Sequence, residues 1–139
     1  MGTVYAIANQ KGGVGKTTTA VNVAACIAEA GYPTLLVDID AQANATVALG
    51  SPKDGSPNIY EVLSGDVPAE EALRSTAVPG LSLLPAHPDL AGANMELPRQ
   101  AGSETRLREA LAPIRDRFAY VLLDCPPSLG PLTVNALVA

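Results

Sequence analysis

The fold of this chain is decided by the stretch Asn9-Gln10-Lys11-Gly12-Gly13-Val14-Gly15-Lys16-Thr17-Thr18. Its end matches the phosphate-binding loop pattern G-x-x-x-x-G-K-[ST], in which Gly15, Lys16 and Thr17 fill the last three places. The first glycine of the pattern would fall at position 10, where the chain has Gln10, and Lys11 follows it. The stretch is therefore a variant phosphate-binding loop with an additional lysine.

Each residue type in this loop has a chemical role. Backbone N–H groups around Gly12, Gly13 and Gly15 can point at phosphate oxygens, and glycine allows the backbone angles and the close approach that this requires. Lys16 would reach the β- and γ-phosphates as a point charge, and the Thr17 hydroxyl would hold Mg²⁺. The predicted ligands are ATP and Mg²⁺, and the predicted nucleotide-binding residues are Lys11, Gly12, Gly13, Val14, Gly15, Lys16, Thr17 and Thr18.

The segments on either side of the loop support this prediction. Before it, Val4-Tyr5-Ala6-Ile7-Ala8 is a short apolar run, which predicts a strand buried on both faces. After it, apolar residues recur with helical spacing from Ala20 to Ala28, and Gly31 stands where a helix C-cap glycine belongs. A strand, a glycine-rich loop and a helix in this order form the context in which the motif makes a nucleotide site.

Strand and helix patterns alternate along the rest of the chain. Further strands are predicted at Thr34–Asp38, Leu81–Pro85 and Tyr120–Asp124. Helices are predicted at Ala45–Leu49, Asn58–Ser64, Pro68–Arg74, Leu90–Leu97, Ser103–Leu111 and Leu132–Ala139, with a surface loop at Ser51–Pro57. This order predicts an α/β fold of the P-loop NTPase type, with a mostly parallel, twisted sheet and helices on both faces.

The apolar run Leu132–Ala139 stops without a cap, a charge or a glycine. We therefore expect residues 1–139 to be the N-terminal part of a single P-loop ATPase domain, with a sheet that is incomplete at the C-terminus. An incomplete sheet leaves an open edge and an uncovered apolar surface.

Composition limits the possible functions. The chain has 139 residues, of which 47% are hydrophobic, and a formal net charge of −5. It is therefore globular, and it lacks the basic patch that DNA binding through this segment would require.

Cys26 and Cys125 are far apart and lack metal-type spacing, which predicts two small core residues. The sequence has neither a signal peptide nor a membrane-spanning run, which favours the cytoplasm.

Three aspartates stand where predicted strands end, on the side of the sheet at which ligands bind. Asp124 ends an apolar strand and suits an acid that orients the water shell of Mg²⁺. Asp38 and Asp40 flank Ile39, and alternation puts both carboxylates on the same side of the chain. We expect one to help hold the metal and the other to orient the attacking water. The alternative is a pair of solvated acids that cap the helix near Asn44.

These residues resemble the ParA/Soj branch of the deviant-loop partition ATPases. The resemblance is carried by Lys11–Thr18, by Val37–Thr46 (VDIDAQANAT), by Leu122–Ser128 (LLDCPPS) and by Leu90–Ala93 (LAGA). The loop alone would also fit relatives such as MinD, whereas the Asp-x-Asp-x-Gln-x-Asn pattern narrows the match to the partition branch.

The resemblance implies a Mg-ATP-dependent dimerisation switch for DNA segregation. In such proteins two subunits sandwich two ATP molecules, and Lys11 would reach the nucleotide of the partner. The ATP dimer binds DNA non-specifically until a ParB-like centromere-binding protein stimulates hydrolysis. The implied catalytic residues are Lys11, Lys16 and Asp40, and the implied metal-binding residues are Thr17, Asp38 and Asp124. The implied location is cytoplasmic and nucleoid-associated, without a membrane.

Other functions also fit the loop. A membrane-associated positioning ATPase like MinD would add an amphipathic C-terminal helix with basic residues. A metabolic P-loop ligase would phosphorylate a small substrate and would give Lys11 no role across a dimer. An iron–sulfur reductase would need paired cysteines facing a partner subunit, and Cys26 and Cys125 are poorly placed for that. Partition ATPases continue well past 139 residues, to an adenine pocket and DNA contacts, so this segment alone is expected to be a poor ATPase.

Overall fold

The structure, a computed structural model, describes residues 3–7, 14–92 and 105–126, with the backbone alone at 14–18. Its strands are β1 (Thr3–Ile7), β2 (Thr34–Asp38), β3 (Arg74–Ser75), β4 (Leu81–Leu84) and β5 (Tyr120–Asp124). Its helices are α1 (Val14–Glu29), α2 (Asn44–Ala48), α3 (Ile59–Leu63), α4 (Ala69–Ala72) and α5 (Arg106–Arg115), and residues 90–92 are also helical. The predicted loop residues Lys11, Gly12 and Gly13 and the predicted helix Leu132–Ala139 lie outside these ranges.

The strands form one sheet in the order β1-β5-β2-β4-β3. All neighbours are parallel except β3, which pairs antiparallel with β4. The crossover from β1 to β2 passes through α1, and the one from β4 to β5 passes through α5, so the chain moves across the sheet in opposite directions. Since parallel crossovers are right-handed, the two helices lie on opposite faces. The predicted mostly parallel sheet with helices on both faces is confirmed.

Alternation along the central strands separates the core into two layers. The layer on the α1 face consists of Ala20, Ala24, Ala28, Leu36, Ala45, Leu81 and Leu122. The layer under α3, α4 and α5 includes Leu35, Val37, Ile59, Leu107, Leu111, Ile114 and Leu123. The alanines at four-residue spacing on α1 let this helix lie close to the sheet. The larger leucines and isoleucines fill the opposite layer, where burial of each side chain contributes about 1.5–3 kcal/mol.

The edge at β1 departs from the sequence prediction. The prediction of a strand buried on both faces is wrong, because β1 is the outer strand of the described sheet and Tyr5 is 50% exposed. Cys26, predicted as a core residue, is also exposed, whereas Cys125 is buried as predicted. Tyr5 and Cys26 line the same apolar groove of about 540 Å³ between β1 and α1. No element of the described chain covers this groove, which explains both exposures.

Two helix predictions also need correction. Arg74, predicted at the end of a helix, lies in β3, because α4 ends at Ala72 and the chain turns to pair with β4. Helix α5 runs past the predicted end at Leu111 to Arg115, although Pro113 lies within it. Its last turn is retained because Ile114 is fully buried. Gly31 has φ +99° at the end of α1, which confirms its predicted C-cap role.

None of the described helices has the length and apolar character needed to span a bilayer.

Candidate active site

The carboxyl ends of three parallel strands meet at one edge of the sheet. In the register, Ile7 of β1 lies opposite Asp124 of β5, which lies opposite Asp38 of β2. The backbone continues this alignment past the strands, since Cys125 N–H donates to the Ile7 carbonyl at 3.0 Å and Ile39 N–H donates to the Asp124 carbonyl at 3.1 Å. The predicted carboxylates at 38 and 124 are thereby brought side by side.

Helix α1 begins at Val14, in the segment that follows β1. Its first turn contains the predicted phosphate-binding residues Val14, Gly15, Lys16 and Thr17, so backbone N–H groups at this helix start are free of intrahelical partners. Such a helix start is suited to binding anions, because the unpaired N–H groups and the helix dipole both favour negative charge.

Asp38 is held at both carboxylate oxygens. Its side chain is fully buried; Oδ1 accepts the Asp40 N–H at 3.1 Å, and Oδ2 accepts the Thr46 N–H at 2.9 Å and the Thr46 hydroxyl at 2.8 Å. The pKa of Asp38 is raised from 3.8 to about 7. Burial is the main cause and the charge of Asp124 adds to it, while the hydrogen bonds from Thr46 and Asp40 oppose the rise. Among the described residues, no positively charged group lowers the pKa of Asp38 and so offsets the effect of burial.

Asp40 lies in a tight turn between β2 and α2. Its Oδ1 accepts the Gln42 N–H at 3.0 Å, and its carbonyl accepts the Ala43 N–H at 2.9 Å. Ala43 takes the left-handed conformation with φ 57°, which brings the chain round into α2. Asp40 is only 7% exposed. The orientation of the side chain is therefore fixed by the turn, and the side chain is not free in solvent.

The alternative interpretation is a pair of solvated acids that cap the helix near Asn44. Its solvation is wrong, whereas its capping is found for Asp38. Both acids are buried, so they are not solvated. Asp38 does cap α2, because the N-cap residue Ala43 has no side-chain oxygen and the Thr46 N–H in the first turn donates to Asp38 instead.

Thr46 is a residue to which the sequence interpretation gave no role. Besides donating to Asp38, its hydroxyl accepts the Ala86 N–H at 2.8 Å, and the side chain is fully buried. The hydroxyl thus joins the end of β2, the start of α2 and the segment after β4. The bond to Ala86 spans 40 residues, so no local spacing rule reveals it.

The side chains predicted to bind the metal offer oxygen ligands, which suit a hard divalent cation. Carboxylate and hydroxyl oxygens are the ligands that Mg²⁺ prefers, and the raised pKa of Asp38 beside Asp124 reflects a site where a cation would relieve charge. The described residues contain no group of three or more His, Cys, Asp or Glu side chains that could hold a metal by themselves. A Mg²⁺ ion here would therefore keep several waters and rely on phosphate oxygens, as Mg²⁺ commonly does.

Comparison with known proteins identifies the family of this chain. A family model described as an AAA domain (AAA_31) matches residues 2–139. The chain belongs to this family.

Named relatives confirm the resemblance to the ParA/Soj branch. The chain is 51% identical over 140 residues to the chromosome partitioning protein ParA of Myxococcus xanthus, covering 100% of this chain and 50% of that protein. It is 49% identical over 140 residues to the sporulation initiation inhibitor protein Soj of Bacillus subtilis, covering 100% and 55%. The chain thus spans about half the length of these relatives.

A solved structure supports the P-loop type of fold. Cobyrinic acid a,c-diamide synthase from Mycobacterium smegmatis, with bound ATP analog and magnesium, superposes with a TM-score of 0.95 at 48% identity. The match covers 100% of this chain and 57% of that one. The predicted fold class is confirmed, and that protein binds an ATP analog and magnesium, the two ligands predicted for this chain.

Proposed function

We propose that the protein carrying this chain is a partition ATPase, a Mg-ATP-dependent dimerisation switch for DNA segregation. The observation that supports the proposal is the alignment of Asp38 with Asp124 at the carboxyl ends of β2 and β5, in a chain that is about half identical to ParA and Soj. A helix start favours phosphate and buried acids favour a divalent cation, and nucleotide hydrolysis requires a site for both.

The roles of the chain's residues follow from their chemistry. Gly12, Gly13, Val14 and Gly15 would present N–H groups to the phosphates, and Lys16 and Thr18 would add a charge and a hydroxyl. Asp40 would orient the attacking water, and the bond from its backbone N–H to Asp38 Oδ1 would help to hold its turn in place.

Lys11 would act on the nucleotide of a second copy of the chain. Phosphoryl transfer spreads negative charge over the phosphate oxygens in the transition state, and a cation supplied in trans stabilises that charge. Thr17, Asp38 and Asp124 would hold the Mg²⁺ ion, directly or through its waters. When bound, that ion neutralises charge on the β- and γ-phosphates.

The remaining parts of the proposal concern the whole protein. Two copies would enclose two ATP molecules, and the dimer would bind DNA non-specifically through residues outside this segment. A ParB-like partner would stimulate hydrolysis and release the DNA. The net charge of −5 argues against DNA contacts within this segment. We place the protein in the cytoplasm, associated with the nucleoid and not with a membrane.

The proposal is tested by the ATPase rate of the full-length protein with and without non-specific DNA. Lys16→Ala and Lys11→Ala are each expected to abolish DNA-stimulated turnover, a loss of about 100-fold or more. Lys53 is the third lysine of the chain and lies exposed in a loop, so Lys53→Ala is the matched control and is expected to retain the rate. A rate that is indifferent to DNA in the wild type would contradict the proposal, and dependence on anionic lipid would favour a MinD-like function.

A second candidate function is an ATP-dependent ligase that activates a small carboxylic acid. It is favoured by the 48% identity to the Mycobacterium smegmatis synthase. Lys11→Ala separates the two candidates, because a ligase gives Lys11 no role across a dimer and would keep its rate in this variant. A ligase would also consume ATP only when its acid substrate is present.

A further inference from the structure

Three segments of the chain meet at the Thr46 hydroxyl. It donates to Asp38 Oδ2 at 2.8 Å and accepts the Ala86 N–H at 2.8 Å, so it acts as donor and as acceptor at the same time. The bonded carboxylate in turn accepts the Asp40 N–H through Oδ1 at 3.1 Å. A continuous hydrogen-bonded chain therefore runs from Ala86 through Thr46 and Asp38 to the backbone of Asp40.

We propose that Thr46 is a positioning residue for ATP hydrolysis: it fixes the rotamer of Asp38 and thereby the place of the Asp40 carboxylate. Thr46 does not touch the reacting atoms in this account. Its effect passes through Asp38, whose Oδ1 holds the turn that carries Asp40. This proposal rests on the proposed ATPase function, in which Asp40 orients the attacking water.

These hydrogen bonds matter for the position of Asp40 because the three side chains are buried. Thr46 and Asp38 are fully buried and Asp40 is 7% exposed, so water cannot readily replace a bond that is lost. Without the hydroxyl, Asp38 would keep only backbone donors, and the Ala86 N–H would lose its acceptor. The carboxylate would then be held only by two backbone N–H groups, and the Asp40 turn would be supported less firmly through Oδ1. A displacement of about 1 Å at a catalytic group can reduce turnover by about 100-fold.

The experiment compares hydroxyl-free and hydroxyl-retaining variants of the full-length protein. Thr46→Val preserves the shape of the side chain and removes the hydroxyl, whereas Thr46→Ser keeps the hydroxyl. Thr34→Val is the matched control, because Thr34 is equally buried and donates to the Tyr32 carbonyl at the opposite end of β2. The measurements are kcat for ATP hydrolysis and the Kd for a non-hydrolysable ATP analog with Mg²⁺.

We expect Thr46→Val to lower kcat by about 10- to 100-fold while Kd changes by less than about threefold. Thr46→Ser should recover kcat to within about threefold of the wild type. Thr34→Val should leave both kcat and the Kd for the analog close to the wild-type values. Because the effect passes through Asp38, the double variant Asp38→Asn/Thr46→Val should be no slower than Asp38→Asn alone.

Each contrary result has a distinct meaning. An unchanged kcat in Thr46→Val, or an equal loss of kcat and analog affinity, overturns the positioning role. If neither Thr46→Val nor Thr46→Ala folds while Thr46→Ser does, the hydroxyl serves folding, and the positioning role is again overturned. If wild type and Lys16→Ala have the same rate, the proposed ATPase function itself fails, and the role of Thr46 in hydrolysis fails with it.

Discussion

Asp38 and Asp124 are the last residues of two neighbouring parallel strands and lie directly opposite each other in the register of β2 and β5. Both side chains are fully buried. Two acids in this position are unfavourable for folding alone, since each must leave water and each adds charge near the other. The arrangement is suited to a site that is completed by a cation, and it makes the protein sensitive to pH when no cation is bound.

In metal-free buffer with a chelator, the stability of the protein is expected to fall as the pH rises from about 4 to about 7. The pKa of Asp38 is raised in the folded state, so the folded state binds the proton more tightly than the unfolded state does. The contribution is complete below the unfolded pKa of 3.8 and is lost as the pH rises through about 7. The free energy of unfolding is expected to fall by up to about 4 kcal/mol over this pH range. Urea unfolding at several pH values measures it.

Asp38→Asn supplies the control for this pH dependence. Asparagine has a similar shape and does not titrate, so the difference in slope between wild type and variant isolates the contribution of Asp38. A variant with the same pH slope as the wild type would show that Asp38 does not titrate in this range.

Truncation of Leu123 is expected to destabilise the fold strongly. Leu123 lies in β5, between β1 and β2, and is fully buried in the layer under α5. Leu123→Ala should lower the free energy of unfolding by about 2–5 kcal/mol, because it removes buried methyl groups and leaves a cavity. Val47→Ala is the control, since Val47 is 54% exposed and its truncation should change stability by less than about 0.5 kcal/mol. Equal urea midpoints for the two variants would contradict the assigned core.

The N-cap of α3 provides a local test. Asn58 accepts the Glu61 N–H at 3.2 Å and donates to the Gly55 carbonyl at 2.9 Å and to Glu61 Oε1 at 3.0 Å. Asn58→Ala should cost about 1–2 kcal/mol, because the buried cap leaves several of these groups unpaired. Ser64→Ala, at the exposed end of the same helix, should cost less than about 0.5 kcal/mol. Thermal unfolding of the two variants decides the point, and a neutral Asn58→Ala would argue against the cap.

The sequence predicted the elements that depend on local patterns. The strands at Thr34–Asp38 and Tyr120–Asp124 have the bounds predicted from their apolar runs, and the convergence of Asp38 and Asp124 follows from their parallel order. The exposure of Tyr5 was not predictable, because an apolar strand has the same composition whether it lies at an edge or in the centre.

The tertiary contacts within the site could not be predicted in the same way. The roles of Thr46 and Ala86 depend on contacts across 40 residues, for which the sequence carries no periodic signal. The burial of Asp38 could likewise not be predicted, since a strand-terminal acid is solvated in many sheets, whereas here it is fully buried and accepts the Thr46 N–H of α2.

The most direct test of the account is the effect of Asp40→Ala on hydrolysis and on nucleotide binding in the full-length protein. Asp40 is proposed to orient the attacking water, so kcat should fall by about 100-fold or more while the Kd for an ATP analog changes by less than about threefold. Asp54→Ala, in the exposed loop after α2, is the matched control and should leave both quantities unchanged. Wild-type turnover in Asp40→Ala would contradict the central claim that this edge of the sheet is a hydrolytic site.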